Sequence, residues 1–195
     1  MPKIETSGPM NILVAGFGNV LREDDAFGIR LLERLRIRAT EFPSVRFFEA
    51  GIGGINFVQE LQDGFDALIV LDALEAEDQA APGTVRVLEA QVLDPRQMPV
   101  HVARDALADI HYAEPGRAMA LAKALDRLPA KSFIVGCVAL RCELGLELTP
   151  LVEAALPIAE IRVAELIESL LTQQGLPTSE HFVMDVAQVL QKEAV

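Results

Sequence analysis

One stretch limits what this chain can fold into. Residues 11–28 read Asn11-Ile12-Leu13-Val14-Ala15-Gly16-Phe17-Gly18-Asn19-Val20-Leu21-Arg22-Glu23-Asp24-Asp25-Ala26-Phe27-Gly28. Ile12 to Ala15 is a short apolar run, the pattern of a strand buried on both faces. Gly16 to Asp25 is a glycine-bearing segment that ends in three acids. Phe27, Leu31, Leu32 and Leu35 then recur at helical spacing. Strand, loop, helix is the opening unit of a parallel α/β sheet, and in such sheets ligands bind at the loops that follow the strands' carboxyl ends.

The rest of the chain repeats the alternation. Val45 to Ala50 reads as a second strand, followed by a glycine loop (Gly51-Ile52-Gly53-Gly54) and a short helix over 56–62. Ala67-Leu68-Ile69-Val70-Leu71 is a third buried strand ending at Asp72. Ala81-Pro82-Gly83 is turn chemistry, and residues 84–88 alternate like a half-exposed strand at a sheet edge. Pro95 and Pro99 predict a partly irregular loop over 89–110. A helix follows from the 111–116 segment to about Leu128, then a buried strand over 132–138. Pro157 fits the first turn of a long helix through Leu171. Phe182, Val186, Val189 and Leu190 are spaced as a last amphipathic helix, expected to pack back on the same chain, with docking onto a partner as the alternative. The reading is α/β: a three-layer α/β/α sandwich with a mostly parallel twisted sheet, phosphorylase/hydrolase-like. It is one domain over 1–195, with a core at about 11–172 and a C-terminal appendage at about 176–195.

Charge and composition remove several function classes. Lys and Arg number 17 and Asp and Glu 29, a net charge of −12, which repels phosphate backbones and argues against nucleic acid as a partner. No segment reaches the roughly 18 apolar residues of a membrane span, and residues 1–10 carry no apolar signal region. Cys137 and Cys142 do not form a disulfide framework or a redox motif. A reduced, cytoplasmic location is the expectation.

Three polar residues stand where the loops meet. Glu23, Asp24 and Asp25 could cap the helix that follows, or one of them, Asp25, could face the cleft as a metal ligand or acid/base group. Asp72, directly after five apolar strand residues, could cap the next turn or join Asp25 at the same sheet edge. His111 alone among the three histidines precedes a helix from a loop; it could be a solvated surface residue or a ligand. Two acids and a neutral imidazole make a plausible metal set. The glycine segment starts like a dinucleotide fingerprint but lacks the third glycine, and its acids would oppose a pyrophosphate. Glu49 lies beyond the usual spacing for a ribose contact.

Gly16-Phe17-Gly18-Asn19-Val20-Leu21-Arg22-Glu23-Asp24-Asp25-Ala26-Phe27-Gly28 resembles the opening motif of the hydrogenase maturation endopeptidases. Glu49-Ala50-Gly51-Ile52-Gly53-Gly54, Leu68-Ile69-Val70-Leu71-Asp72-Ala73, Ala81-Pro82-Gly83-Thr84 and Gly136-Cys137-Val138 with Leu146-Glu147-Leu148-Thr149-Pro150 are similar to later segments of that family. The likeness runs over about residues 11–170. The resemblance implies a protease that removes a short C-terminal peptide from the large-subunit precursor of a nickel-iron hydrogenase after the metal is inserted. It implies that Asp25, Asp72 and His111 are the catalytic and nickel-contacting residues. It further implies that the nickel is carried by the substrate and that other divalent cations can substitute in the free protein. The second glycine loop departs from the family's Asp-Gly-Gly-Thr, reading Glu49-Ala50-Gly51-Ile52. That change keeps open a second expectation, a non-catalytic chaperone that binds the hydrogenase large subunit.

Overall fold

The computed structural model describes residues 10–75, 80–101, 103–104 and 114–172, and the backbone of 180–184. Six strands form one sheet: β1 (Ile12–Phe17), β2 (Val45–Gly51), β3 (Ala67–Leu74), β4 (Val85–Val92), β5 (Lys131–Val138) and β6 (Glu180–Met184). Among the described residues these α-helices lie against it: α1 (Phe27–Ile37), α2 (Gly54–Glu60), α3 (Pro115–Ala124) and α4 (Pro150–Thr172). The strand order is β2-β1-β3-β5-β4-β6. β2, β1, β3 and β5 run parallel, β4 runs antiparallel to β5, and β6 runs parallel to β4.

The strand alternation splits the core in two. Ile12, Val14, Ile69, Leu71, Phe133 and Val135 face α1 and α4, which contribute Phe27, Leu31, Leu35, Ala159, Val163 and Leu166. Leu13, Ala15, Phe17, Leu68, Val70 and Ile134 face the other way, against Phe57 and Leu61 of the α2 side and Ala118, Met119 and Ala122 of α3. A parallel sheet covered on both faces needs near-continuous apolar strands, and β1 is buried at every position. The expected three-layer sandwich is the observed one.

Gly28 allows α1 to sit this close to the sheet. A Cβ there would stand 2.2 Å from the Leu71 carbonyl oxygen and 2.4 Å from that of Phe17. Both obstacles are backbone, so neither can move aside cheaply. The close approach seats the start of α1, and the acids before it, over the carboxyl ends of β1 and β3.

Five sequence expectations need correction. The long helix starts at Pro150, not Pro157. Pro150 takes the pre-organised first position, and Pro157 lies inside the helix on its exposed side, where the lost ladder bond does not fall in the core. β4 continues to Val92, so residues 89–92 are strand rather than loop, and β4 is not an edge because β6 covers it. Residues 180–184 form that strand rather than the start of an amphipathic helix. Val186, Val189 and Leu190 of the expected helix lie outside the described residues. Helix α3 is shorter than expected, ending at Ala124 before Asp126 turns to a φ of 56°. Among the described residues no helix is long and apolar enough to cross a membrane.

Candidate active site

Parallel register brings the first loop and Asp72 together. Gly16 of β1 stands opposite Leu71 of β3, so the chain leaves β1 where β3 presents Asp72. β3 runs on through Leu74 against β5, which puts Asp72 in the last part of the strand rather than at its end. The loop after β1 then turns back. At Gly18, φ is +123° and a Cβ would stand 1.8 Å from the Asp25 carbonyl oxygen. Only glycine fits that crossing. A 3₁₀ turn over Glu23–Ala26 follows and carries Asp25 to the start of α1.

The three acids divide their work. Asp25 is not a helix cap: Ala26 holds that position, and no side-chain cap bond is made there. Instead the Asn19 amide donates to Asp25 Oδ2 at 3.2 Å. Burial raises the Asp25 carboxyl above its ordinary range, against the opposing pull of the Asn19 amide and the Arg22 charge. Burial lifts Asp72 well above its ordinary range, and the charges of Asp25 and then Glu114 add to this while the Ala73 amide opposes it. Glu114 stands at the start of α3 and accepts a bond from the buried Arg117 at 3.3 Å. Two carboxyl groups that feel each other's charge at one sheet edge favour holding a proton between them.

Asp24 points the other way and is fully buried. Its Oδ2 accepts from the amides of Leu140 and Arg141 at 2.9 and 3.1 Å and from the Thr149 hydroxyl at 2.9 Å. Its Oδ1 accepts from the Thr149 amide at 2.7 Å. Further bonds staple the first loop to the segment after β5. Glu23 N–H donates to the Gly145 carbonyl at 3.0 Å, and Gly145 N–H to the Leu21 carbonyl at 2.9 Å. The Arg22 guanidinium donates to the Cys142 carbonyl at 2.9 and 3.1 Å. Glu23, held at a φ of 43°, pairs with Arg141 at 2.7 Å. The second glycine loop joins them, since Gly18 N–H donates to the Gly51 carbonyl at 3.1 Å.

His111 lies outside the described residues. Among those described, no group of three or more His, Cys, Asp and Glu side chains is arranged to hold a metal. Asp25 and Asp72 offer a pair of hard oxygen donors whose mutual repulsion a divalent cation would relieve, so their chemistry fits the cation the sequence reading expects. Both cysteines are free, Cys137 in the core and Cys142 half-buried on the late loop. Burial pushes the Cys137 thiol up to about 12, consistent with structural rather than redox roles. Glu49 is engaged with Arg36 at 3.2 Å.

A family model described as hydrogenase maturation protease matches residues 29–166 of the 195. The chain belongs to the hydrogenase maturation protease family. Over 164 residues it is 31% identical to the hydrogenase 2 maturation protease of Escherichia coli (strain K12), covering 82% of this chain and 93% of that protein. A shorter likeness, 41% identical over 83 residues, links it to the hydrogenase expression/formation protein HupM of Azotobacter chroococcum mcd 1, and there it spans 43% of this chain and 38% of that protein. Among solved structures it is similar to the hydrogenase maturating endopeptidase HybD from E. coli, with a TM-score of 0.62, 27% identity, and coverage of 82% of this chain and 94% of that one. A hydrogenase 2 maturation peptidase from Thaumarchaeota archaeon SCGC_AB-539-E09 matches with a TM-score of 0.55 and 29% identity, covering 82% of this chain and 97% of that one. The expected family and fold therefore hold.

Sequence reasoning placed Asp25 and Asp72 at one sheet edge but missed the Asp24 network. Thr149-Pro150, a hydroxyl residue directly before a helix-starting proline, is the signal that locates one end of it. Nothing local in the sequence marks the other partners.

Proposed function

We propose that this chain is an endopeptidase that removes the C-terminal peptide from the large-subunit precursor of a nickel-iron hydrogenase after nickel insertion. The observation that carries the reading is the pair of carboxyl groups, Asp25 and Asp72. Burial raises both, the charge of Asp25 adds to the rise at Asp72, and the shared edge of β1 and β3 holds them in a chain of the hydrogenase maturation protease family. Carboxyl groups raised above their ordinary range hold a proton more readily and suit general acid–base work.

In this reading the ionised member of the pair takes a proton from a water molecule as that water attacks the scissile carbonyl carbon. As the carbon–nitrogen bond breaks, the protonated member gives its proton to the leaving amine. Atoms and charges balance: one water is consumed, and an acid and an amine terminus are released. The nickel is part of the substrate. Asp25, Asp72 and His111 are the residues proposed to contact it, and its charge would relieve the repulsion between the two acids. The family relationship and the soluble-type fold support a cytoplasmic setting, with the precursor as the partner.

The test is intact-mass measurement of nickel-loaded precursor after incubation with the purified protein. Loss of the C-terminal peptide is the expected result. Stable complex formation with no mass change would favour the chaperone reading, for which the altered loop Glu49-Ala50-Gly51-Ile52 gives a motive.

A further inference from the structure

The start of α3 brings a third carboxyl group to the edge that holds the acid pair. Ala118, Met119 and Ala122 seat α3 on the sheet face opposite α1, with Val70 and Ile134 in the same core. The chain leaves α3 to enter β5, whose first residue, Lys131, stands opposite Ala67 at the beginning of β3. The end of α3 is therefore at the strands' amino edge. Its 10 residues rise about 15 Å, so its start lies toward the carboxyl edge, where Asp72 stands opposite Gly136. Glu114 is at that start, in the N-cap position, yet its side chain makes no capping bond. It is held from behind instead. The Arg117 Nε donates to Glu114 Oε2 at 3.3 Å, and the Arg117 side chain is 2% exposed while that of Glu114 is 48% exposed. A buried guanidinium thus fixes a carboxylate that is half open to solvent. Asp25 precedes α1 and Glu114 precedes α3, so the two approach Asp72 from opposite faces of the sheet. The charges of both reach Asp72.

We propose that Glu114 is a specificity-determining residue that binds the new amino terminus of the peptide released by cleavage. The proposal rests on the endopeptidase reading above. Two cations belong to that reaction: the substrate's nickel, and the freed amine, which holds a proton at pH 7 because its ordinary pKa is about 8. Among the described residues no three His, Cys, Asp and Glu side chains are placed to share one metal ion, so Glu114 is not a third oxygen donor beside Asp25 and Asp72. The ammonium group is the cation left for it. The amine is set free at the acid pair, next to a carboxylate already fixed in place, and an ammonium–carboxylate contact is a charge-assisted hydrogen bond.

The experiment uses the full chain and two synthetic forms of the peptide that wild type releases, one with a free amino terminus and one N-acetylated. Calorimetry gives a Kd for each. Wild type should bind the free-amine form about tenfold or more tighter, the order of one charge-assisted hydrogen bond. Glu114→Gln keeps an oxygen for Arg117 but loses the charge, and should bind the two forms alike. Glu165→Gln removes the carboxylate of another Arg–Glu pair, with Arg162 on α4, and as the control should keep the wild-type preference. The ratio of the two Kd values within one variant is insensitive to any loss of folded protein. Absence of the preference in wild type, or binding of neither form, overturns the proposal. Weaker binding of both forms by Glu114→Gln with the preference kept would assign Glu114 to a basic side chain of the peptide, and also overturns it. If wild type releases no peptide from the nickel-loaded precursor, the endopeptidase reading itself fails and takes this proposal with it.

Discussion

Asp24 grips Thr149 with both carboxylate oxygens: the Thr149 amide donates to Oδ1 at 2.7 Å and its hydroxyl to Oδ2 at 2.9 Å. The contact joins residues 125 apart in sequence, in the interior. It ties the turn that carries Asp25 to the start of α4, so one acid fixes the backbone that positions its neighbour.

Removing that grip should cost much of the fold's stability. Asp24→Ala removes four hydrogen bonds to a buried carboxylate and leaves the buried Thr149 amide without its acceptor, and an orphaned buried donor costs about 1–3 kcal/mol. The expected loss is at least about 3 kcal/mol in urea unfolding. Thr149→Val removes the hydroxyl bond alone and should cost about 1–2 kcal/mol. Equal losses in the two variants would contradict the network.

Asp72→Asn should separate stability from activity. The folded state raises the Asp72 carboxyl, so folding favours its protonated form. The stability from that protonated form is fully present below the ordinary value of 3.8 and is lost as pH rises through the raised one. Asparagine mimics the protonated acid at every pH. The variant should therefore melt higher than wild type at pH 8, with the gap closing toward pH 4, while cleavage is abolished. A lower melting temperature at pH 8 would show that the ionised form is the one the fold favours.

Asp25→Asn should leave the fold intact, because an asparagine oxygen can still accept the Asn19 amide. Cleavage should fall by roughly 10²–10⁴, the range for losing an acid–base group. The Asp72 carboxyl should titrate lower, since one of the charges that raises it is gone. Carbon-13 NMR titration of the Asp carboxyls reads this directly. An unmoved Asp72 would mean that the two groups do not sense each other.

Truncation after residue 175 should lower the melting temperature. It removes β6, which pairs with β4 from Leu88↔Glu180 to Val92↔Met184, and leaves a long strand edge open to other chains. Light scattering during the melt should rise earlier than for the full chain. An unchanged melt would show that the pairing contributes nothing to stability.

The sheet and its acid pair were legible because local patterns specify them. Two apolar runs, Ile12 to Ala15 and Ala67 to Leu71, each lead into an acid-bearing segment, and parallel strands bring such ends to one edge. What sequence could not show is non-local. β6 forms because β4 has an outer edge to offer, and no spacing within residues 180–190 reveals that. Pro157 suits a first helical turn by local rules, yet Pro150 with Thr149 makes the better start. Asp24 and Asp25 are chemically alike and adjacent, so only the fold decides which one is buried in a network and which is left half-buried, bonded to the Asn19 amide. His111 lies outside the described residues, and its part in the site stays a proposal.

The central claim is that Asp25 and Asp72 together carry out peptide cleavage on a nickel-loaded precursor. Intact-mass spectrometry of that precursor with wild type, Asp25→Asn and Asp72→Asn tests it most directly. The account predicts loss of the C-terminal peptide with wild type and an intact precursor with Asp72→Asn. With Asp25→Asn it predicts cleavage slowed by roughly 10² or more, with both variants folded by circular dichroism. Cleavage at wild-type rate by either variant, or none by wild type across cognate precursors, would contradict it.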